Sequence, residues 1–170
     1  MNQVNHRRYE CKEIIIKYNL FESINDLATL DRELLERAIV ATESSYSPYS
    51  NFKVGAAARL DSNKVITGSN QENASYGATI CAERTLIALH AQNHIADRMN
   101  TIAISYNHGK PSKKPLSPCG ICRQSLIEHE IRQGQGMIRF ILGSHTGQVI
   151  EIFGAKSLLP LAFNKDALGL

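Results

Sequence analysis

Apolar residues nowhere run long enough to cross a bilayer. The runs are short, as in Glu13-Ile14-Ile15-Ile16-Lys17, where a transmembrane helix needs about 20 residues. The N-terminus lacks the apolar stretch of a secretory signal, which makes the cytoplasm the expected compartment. No five or six like charges stand together and the formal net charge is only +3, so no electrostatic grip on nucleic acid or membrane is expected. Cysteine is scarce, four in 170 residues, too few to staple a chain of this length with disulfides. Neither repeats nor a domain-breaking linker appear. What is present, 43% hydrophobic and 21% charged residues, is the composition of one soluble globular domain with a real core.

In chain order, residues 1–30 read as an N-terminal extension whose one apolar patch, Ile14 to Tyr18, forms at most an edge strand. From Asp31, a plausible N-cap, the spacing of Leu34, Leu35, Ala38 and Ile39 predicts a helix over 31–45. Ser47-Pro48-Tyr49-Ser50-Asn51 is turn chemistry. Two strands, 52–60 and 65–69, then form a hairpin, and Gly55-Ala56-Ala57-Ala58 predicts close packing on it. A helix opening at Cys81, a strand over 101–106, a surface loop over 107–117 and a second helix opening near Cys119 follow. Strands over 137–143 and 148–153 and a short helical piece before Pro160 complete an α/β domain, a mixed sheet with helices on its faces.

The cysteines carry the chemistry. Thr79-Ile80-Cys81-Ala82-Glu83-Arg84 and Pro118-Cys119-Gly120-Ile121-Cys122-Arg123 hold three of the four. Each stretch opens a helix, where unpaired amides and the macrodipole favour thiolates. Cys119 and Cys122, three apart, share a helix face and can reach one ion. A βαβ-like return brings the helix that Cys81 opens alongside. Cys81, Cys119 and Cys122 thus propose one Zn²⁺ per chain with three protein ligands and a fourth position for water, a catalytic arrangement. Closure by a fourth ligand from among His90, His94, His108, His129 and His145 would instead make a structural zinc module. Cys11 lies outside this set.

Glu83, two residues after Cys81, does not face the same way on a helix. That suits a proton-carrying base at the rim of the site better than a ligand. Three thiolates leave the site at −1, and Arg84 and Arg123, each directly after a site residue, are candidates to offset that charge.

Cys-x-Glu followed by Pro-Cys-x-x-Cys resembles the zinc nucleoside and nucleobase deaminases. The match narrows to the cytidine deaminase family through Ser47-Pro48-Tyr49-Ser50-Asn51-Phe52-Lys53-Val54-Gly55-Ala56-Ala57, Asn70-Gln71-Glu72-Asn73-Ala74-Ser75-Tyr76 and Leu158-Leu159-Pro160-Leu161-Ala162-Phe163. The resemblance spans about residues 31–163 and makes 31–170 the catalytic domain. It implies a three-layer α/β/α fold with a five-stranded mixed sheet, and hydrolysis of cytidine or 2′-deoxycytidine to the uridine and ammonia in pyrimidine salvage. Glu83 would carry protons, Phe52 would lie on the pyrimidine, and Asn70 with Glu72 would bind the ribose 3′-hydroxyl. Gln71, Asn73 and Tyr76 complete the implied substrate set. Cysteine as first ligand implies a homotetramer, with Tyr76 and Phe163 resembling residues lent between subunits. Gly77-Ala78 stand where many members carry a proline. A blasticidin-S or free-base deaminase would share the zinc and Glu83, but the Asn70/Glu72 pair argues for a nucleoside.

Overall fold

Small residues decide how closely the helices approach the sheet. The computed structural model describes residues 9–111, 114–134 and 136–169; the start of the N-terminal extension, and 112 and 113 of the expected surface loop, lie outside them. Strand β2 (Lys53–Leu60) alternates small residues between its faces. Ala57 meets Leu34, Leu35 and Ala38 of helix α1 (Thr29–Ala41), whereas Ala56 and Ala58 meet Leu86 of α2 (Ala82–Asn93) and Leu126 of α3 (Gly120–Gln133). At Gly55 a Cβ would sit 2.7 Å from the Thr42 amide nitrogen and even nearer the Ala38 carbonyl oxygen, so only glycine admits α1 here.

With β3 (Val65–Ser69), β4 (Met99–Asn107), β5 (Arg139–Leu142), β6 (Val149–Phe153) and β1 (Tyr18–Phe21), the sheet runs β1-β6-β5-β4-β2-β3. Only β4 and β5 are parallel; every other pairing is antiparallel. The expected α/β/α layering is present, but the sheet has six strands rather than five. β6 offers a free edge and Tyr18–Phe21 takes it, with Tyr18 opposite Ile152. The expected edge strand therefore lies later than the Ile14–Tyr18 patch.

Both β3 and β4 run antiparallel to β2, so they point the same way, and α2 and α3 leave from the same end of the sheet. The βαβ-like return expected between the cysteine stretches is thus realised, once across β2 and once between neighbours. Asp31 does not cap α1: Ala28 holds that position. The Asp31 carboxylate is buried and accepts two hydrogen bonds from Arg139, at 2.6 and 2.5 Å, a bidentate pair joining residues 108 positions apart. Among the described residues, no helix is long and apolar enough to cross a membrane.

Candidate active site

Helices α2 and α3 both begin on a cysteine. Cys81 (φ −72°, ψ 155°) and Cys119 (φ −67°, ψ 167°) occupy the N-cap positions, and neither thiol caps its own helix. The sulfurs turn to one another instead. Cys81 Sγ is 3.9 Å from Cys119 Sγ, which is 3.4 Å from Cys122 Sγ, and all three lie within 4.8 Å. Tetrahedral bonds of about 2.3 Å to zinc set sulfurs about 3.8 Å apart, so this trio fits one Zn²⁺ with little adjustment. Cys122 is buried and Cys119 exposed. Among the described residues, no fourth His, Cys, Asp or Glu joins the cluster.

The three thiols hold their protons unevenly. A hydrogen bond from Cys122, then one from Cys119 and the nearby Arg84 charge, lower the pKa of Cys81 to about 6. The same bond and burial push Cys122 up. Metal ligation requires thiolates and releases those protons. Arg84 donates through Nη2 to the Thr79 carbonyl at 2.7 Å, while its buried Nε has no oxygen or nitrogen partner among the described residues, an arrangement suited to a neighbouring thiolate. Arg123, expected to play the same part, spends its guanidinium on the Pro118 and Leu158 carbonyls and the Ser117 hydroxyl, at 2.7, 2.9 and 2.9 Å. It ties the cysteine loop to the C-terminal segment.

Glu83 stands outside the sulfur cluster, as its spacing from Cys81 implies, and is 5% exposed in the first turn of α2. Burial raises its pKa above the usual carboxylate range, Cys81 adds to the rise, and its own backbone amide, Cys122 and Arg84 oppose it. The carboxyl faces a cavity of about 350 Å³ together with Cys81, Cys119, Phe52, Asn70 and Glu72. A second cavity of about 360 Å³ shares Ser50, Glu72 and Thr79 and adds Tyr49 and Tyr76. A larger groove, about 810 Å³ along α1, has none of these groups.

Asn70 and Glu72 shape the wall they stand on. Asn70 accepts from the Ser45 hydroxyl at 2.6 Å and the Val54 amide at 2.8 Å, and donates to the Phe52 carbonyl at 2.9 Å. Glu72 accepts from the Tyr49 amide at 2.9 Å and the Ser50 hydroxyl at 2.5 Å, which hold its carboxyl below the usual range. Gln71 and Asn73, expected beside them, turn away. Gln71 donates to the Ser44 carbonyl and the Ser69 hydroxyl, and Asn73 accepts from the Ser75 amide. The segment pairs Gln71 with Tyr46 and Ile80 in bridge fashion, and an extended chain alternates its side chains, so 70 and 72 share a side that 71 and 73 do not.

Phe52 lines the cavity and stacks on Tyr106, centroids 5.3 Å apart at 16°. Tyr106 in turn stacks on His108 at 5.7 Å. Tyr106, and Leu116 on the cavity wall, are not among the candidates read from sequence, whereas His108, a candidate zinc ligand there, stacks on Tyr106 just past the end of β4 at Asn107 instead; an aromatic beside a histidine at the end of that strand was the available signal. Tyr76 and Phe163 are 76% and 60% exposed, and the Phe163 carbonyl accepts from Gln124 at 2.8 Å. Two histidines once eligible as ligands, His90 and His129, are buried against each other, ring nitrogens 2.9 Å apart.

Residues 28–135 match the family described as the cytidine and deoxycytidylate deaminase zinc-binding region. A cytidine deaminase of Halalkalibacterium halodurans is 39% identical over 138 residues, 81% of this chain and 97% of the relative. One from Mycobacterium tuberculosis is 46% identical over 93 residues, 54% of this chain and 65% of the relative. The crystal structure of cytidine deaminase from Burkholderia pseudomallei superposes with a TM-score of 0.66 at 40% identity, covering 77% of this chain and 97% of that one. With three sulfurs spaced for zinc beside a buried carboxyl, the chain belongs to the cytidine and deoxycytidylate deaminase family.

Proposed function

We propose that this chain hydrolyses cytidine and 2′-deoxycytidine to the corresponding uridine and ammonia, with one Zn²⁺ held by Cys81, Cys119 and Cys122. The carrying observation is the convergence of those three sulfurs and the buried Glu83 on one cavity that Phe52 also lines. When bound, zinc lowers the pKa of water from about 15.7 toward about 7. Glu83 supplies the proton traffic. Its carboxylate takes a proton from the attacking water and gives it to N3 of the cytosine, then takes the proton of the hydroxyl added at C4 and delivers it to the amino group as the C4–N bond breaks and the C4 carbonyl forms. Burial favours this shuttle, because a carboxylate with a raised pKa takes a proton from water more readily than a surface one and holds it until it is passed on. Phe52 offers the pyrimidine a flat apolar face backed by Tyr106.

Glu72, kept ionised by the Tyr49–Ser50 turn, is an acceptor for a sugar hydroxyl, and Asn70 holds the wall in register beside it. Arg84 offsets thiolate charge at Cys81. Exposed Tyr76 and Phe163 suit residues that complete a neighbouring subunit's site, which supports a homotetramer with residues 31–170 as its catalytic unit. Free site thiols favour a reducing compartment, hence the cytoplasm.

Glu83→Gln tests the reading. Zinc content should stay at one per chain while the loss of cytidine absorbance slows by about 10²–10⁴-fold; undiminished turnover overturns the assignment. Running cytosine, blasticidin S and CMP in parallel separates a nucleoside enzyme from its rivals, since of the four only cytidine presents an unphosphorylated ribose to Glu72.

A further inference from the structure

The residues ahead of β1 expose an unusual amount of apolar surface. Ile14, Ile15 and Ile16 are 58, 75 and 42% exposed, and residues 9–17 belong to no helix or strand. The family match begins only at residue 28. β1 is the outermost strand of the sheet. Its register puts Tyr18 opposite Ile152, one residue before β6 ends at Phe153. The arm therefore runs past the end of β6, and among the described residues no strand pairs with either of its edges.

Among the described residues, the two charges that flank the three isoleucines, Glu13 and Lys17, are also unclaimed. Lys12 pairs with Glu10 at 3.2 Å, whereas neither Glu13 nor Lys17 forms an ion pair or side-chain hydrogen bond among the described residues. Written against itself in antiparallel sense, Glu13-Ile14-Ile15-Ile16-Lys17 is self-complementary. With Ile15 opposite Ile15, each Ile14 faces an Ile16 and each Glu13 faces a Lys17. A shift of one residue sets Glu13 against Tyr18 and Lys17 against Ile14, or Glu13 against Ile16 and Lys17 against Lys12.

We propose that residues 13–17 pair antiparallel with the same residues of a second copy of this chain, on a two-fold axis through Ile15. The pairing prolongs β1 beyond β6, gives the arm's backbone amides and carbonyls a ladder, and covers β-branched side chains that suit a strand. Because the contact is isologous it closes on itself, and within the homotetramer proposed above it ties the chains together in pairs. It uses none of the residues of the zinc site and is independent of the reaction proposed above.

Site-specific disulfide trapping on the full-length zinc-loaded protein, in a Cys11→Ser background, tests this register. Residues opposite each other across the axis have Cβ atoms about 4.5–5.5 Å apart, within reach of a disulfide after slight adjustment. Ile15→Cys should form a covalent dimer under mild oxidation. Ile14→Cys alone should not, because its copies stand diagonal to one another. A mixture of Ile14→Cys and Ile16→Cys proteins should cross-link to each other. At low salt, adding Glu13→Lys to Ile15→Cys should cut the covalent yield at least fivefold, and adding Lys17→Glu as well should restore it. Unchanged circular dichroism and zinc content would show the fold intact. Equal yields at positions 14, 15 and 16, no dimer at 15, or failure of the double charge reversal to recover would each overturn the proposal.

Discussion

Arg123 Nη1 donates to the Leu158 carbonyl oxygen at 2.9 Å, linking the residue after Cys122 to the last residue of the short helix Ala155–Leu158. The same guanidinium reaches back to Pro118 and Ser117, so one planar fork holds the Cys119 loop against the C-terminal segment. Arg123→Ala should destabilise the protein by about 2–3 kcal/mol, since charged hydrogen bonds are lost and carbonyls are left unpaired. Arg123→Lys should recover little, because an ammonium cannot span three acceptors in that geometry. Thermal melting with a zinc assay on the same samples reads both effects, and a lysine variant of full stability would contradict the argument.

Gly55→Ala should be far more damaging than its chemistry suggests. The added methyl meets backbone of α1 rather than a movable side chain, so helix or strand must shift, at a cost of about 3 kcal/mol, the upper end for overpacking. Gly120→Ala is the contrast. A Cβ there meets nothing within 4 Å, and at the first position of α3 it should be neutral or slightly stabilising. Urea midpoints for the two variants test the difference.

Asn70→Ala removes acceptor and donor at once from a residue that is 8% exposed. Loss of about 2–3 kcal/mol of stability is expected, together with a raised KM for cytidine as the Phe52 wall loosens. Asn70→Asp keeps the acceptor but sets a carboxylate against the Phe52 carbonyl, and should rescue neither quantity. Paired melting and kinetic measurements decide this.

The buried histidine pair makes stability depend on pH. His90 Nε2 lies 2.8 Å from the Asp97 carbonyl, which can only accept, leaving His90 Nδ1 to receive His129 Nε2. Burial, with the His90 and Arg132 charges adding, lowers His129 from the usual 6.5 to about 4. Below pH 6.5 the unfolded chain takes up a proton that the folded chain refuses, so stability falls as pH drops toward 4. The loss from this group is about 2 kcal/mol between pH 7 and pH 5. His129→Gln keeps a donor for His90 and should flatten that slope in urea titrations. An unchanged slope would assign the pH dependence elsewhere.

Stripping zinc with a chelator under reducing conditions should abolish deamination and lower the melting temperature, because metal bound only by the folded state adds its binding energy to folding. Restoring one equivalent should restore both. Cys119→Ser should weaken zinc retention without displacing α3, which circular dichroism can follow.

Much of this protein was determined by signals that act within a few residues. The i, i+3 cysteines of α3, the carboxylate two places after Cys81, the turn residues before Phe52 and the run of small residues in β2 each follow from helical or strand periodicity, and each is where that periodicity puts it. Only the tertiary structure decided the partners that lie far along the chain: Arg139 on Asp31 in place of a cap, β1 as a sixth strand on the free edge of β6, Arg123 turned from the thiolates to Leu158, and Tyr106 with His108 stacked behind Phe52. Gln71 and Asn73 left the cavity for a related reason, since the bridges to Tyr46 and Ile80 select which side of the segment faces inward. Local backbone geometry is written in adjacent residues. Which distant polar group satisfies a buried carboxylate or guanidinium depends on how the strands are ordered, and that order emerges only when the whole chain packs.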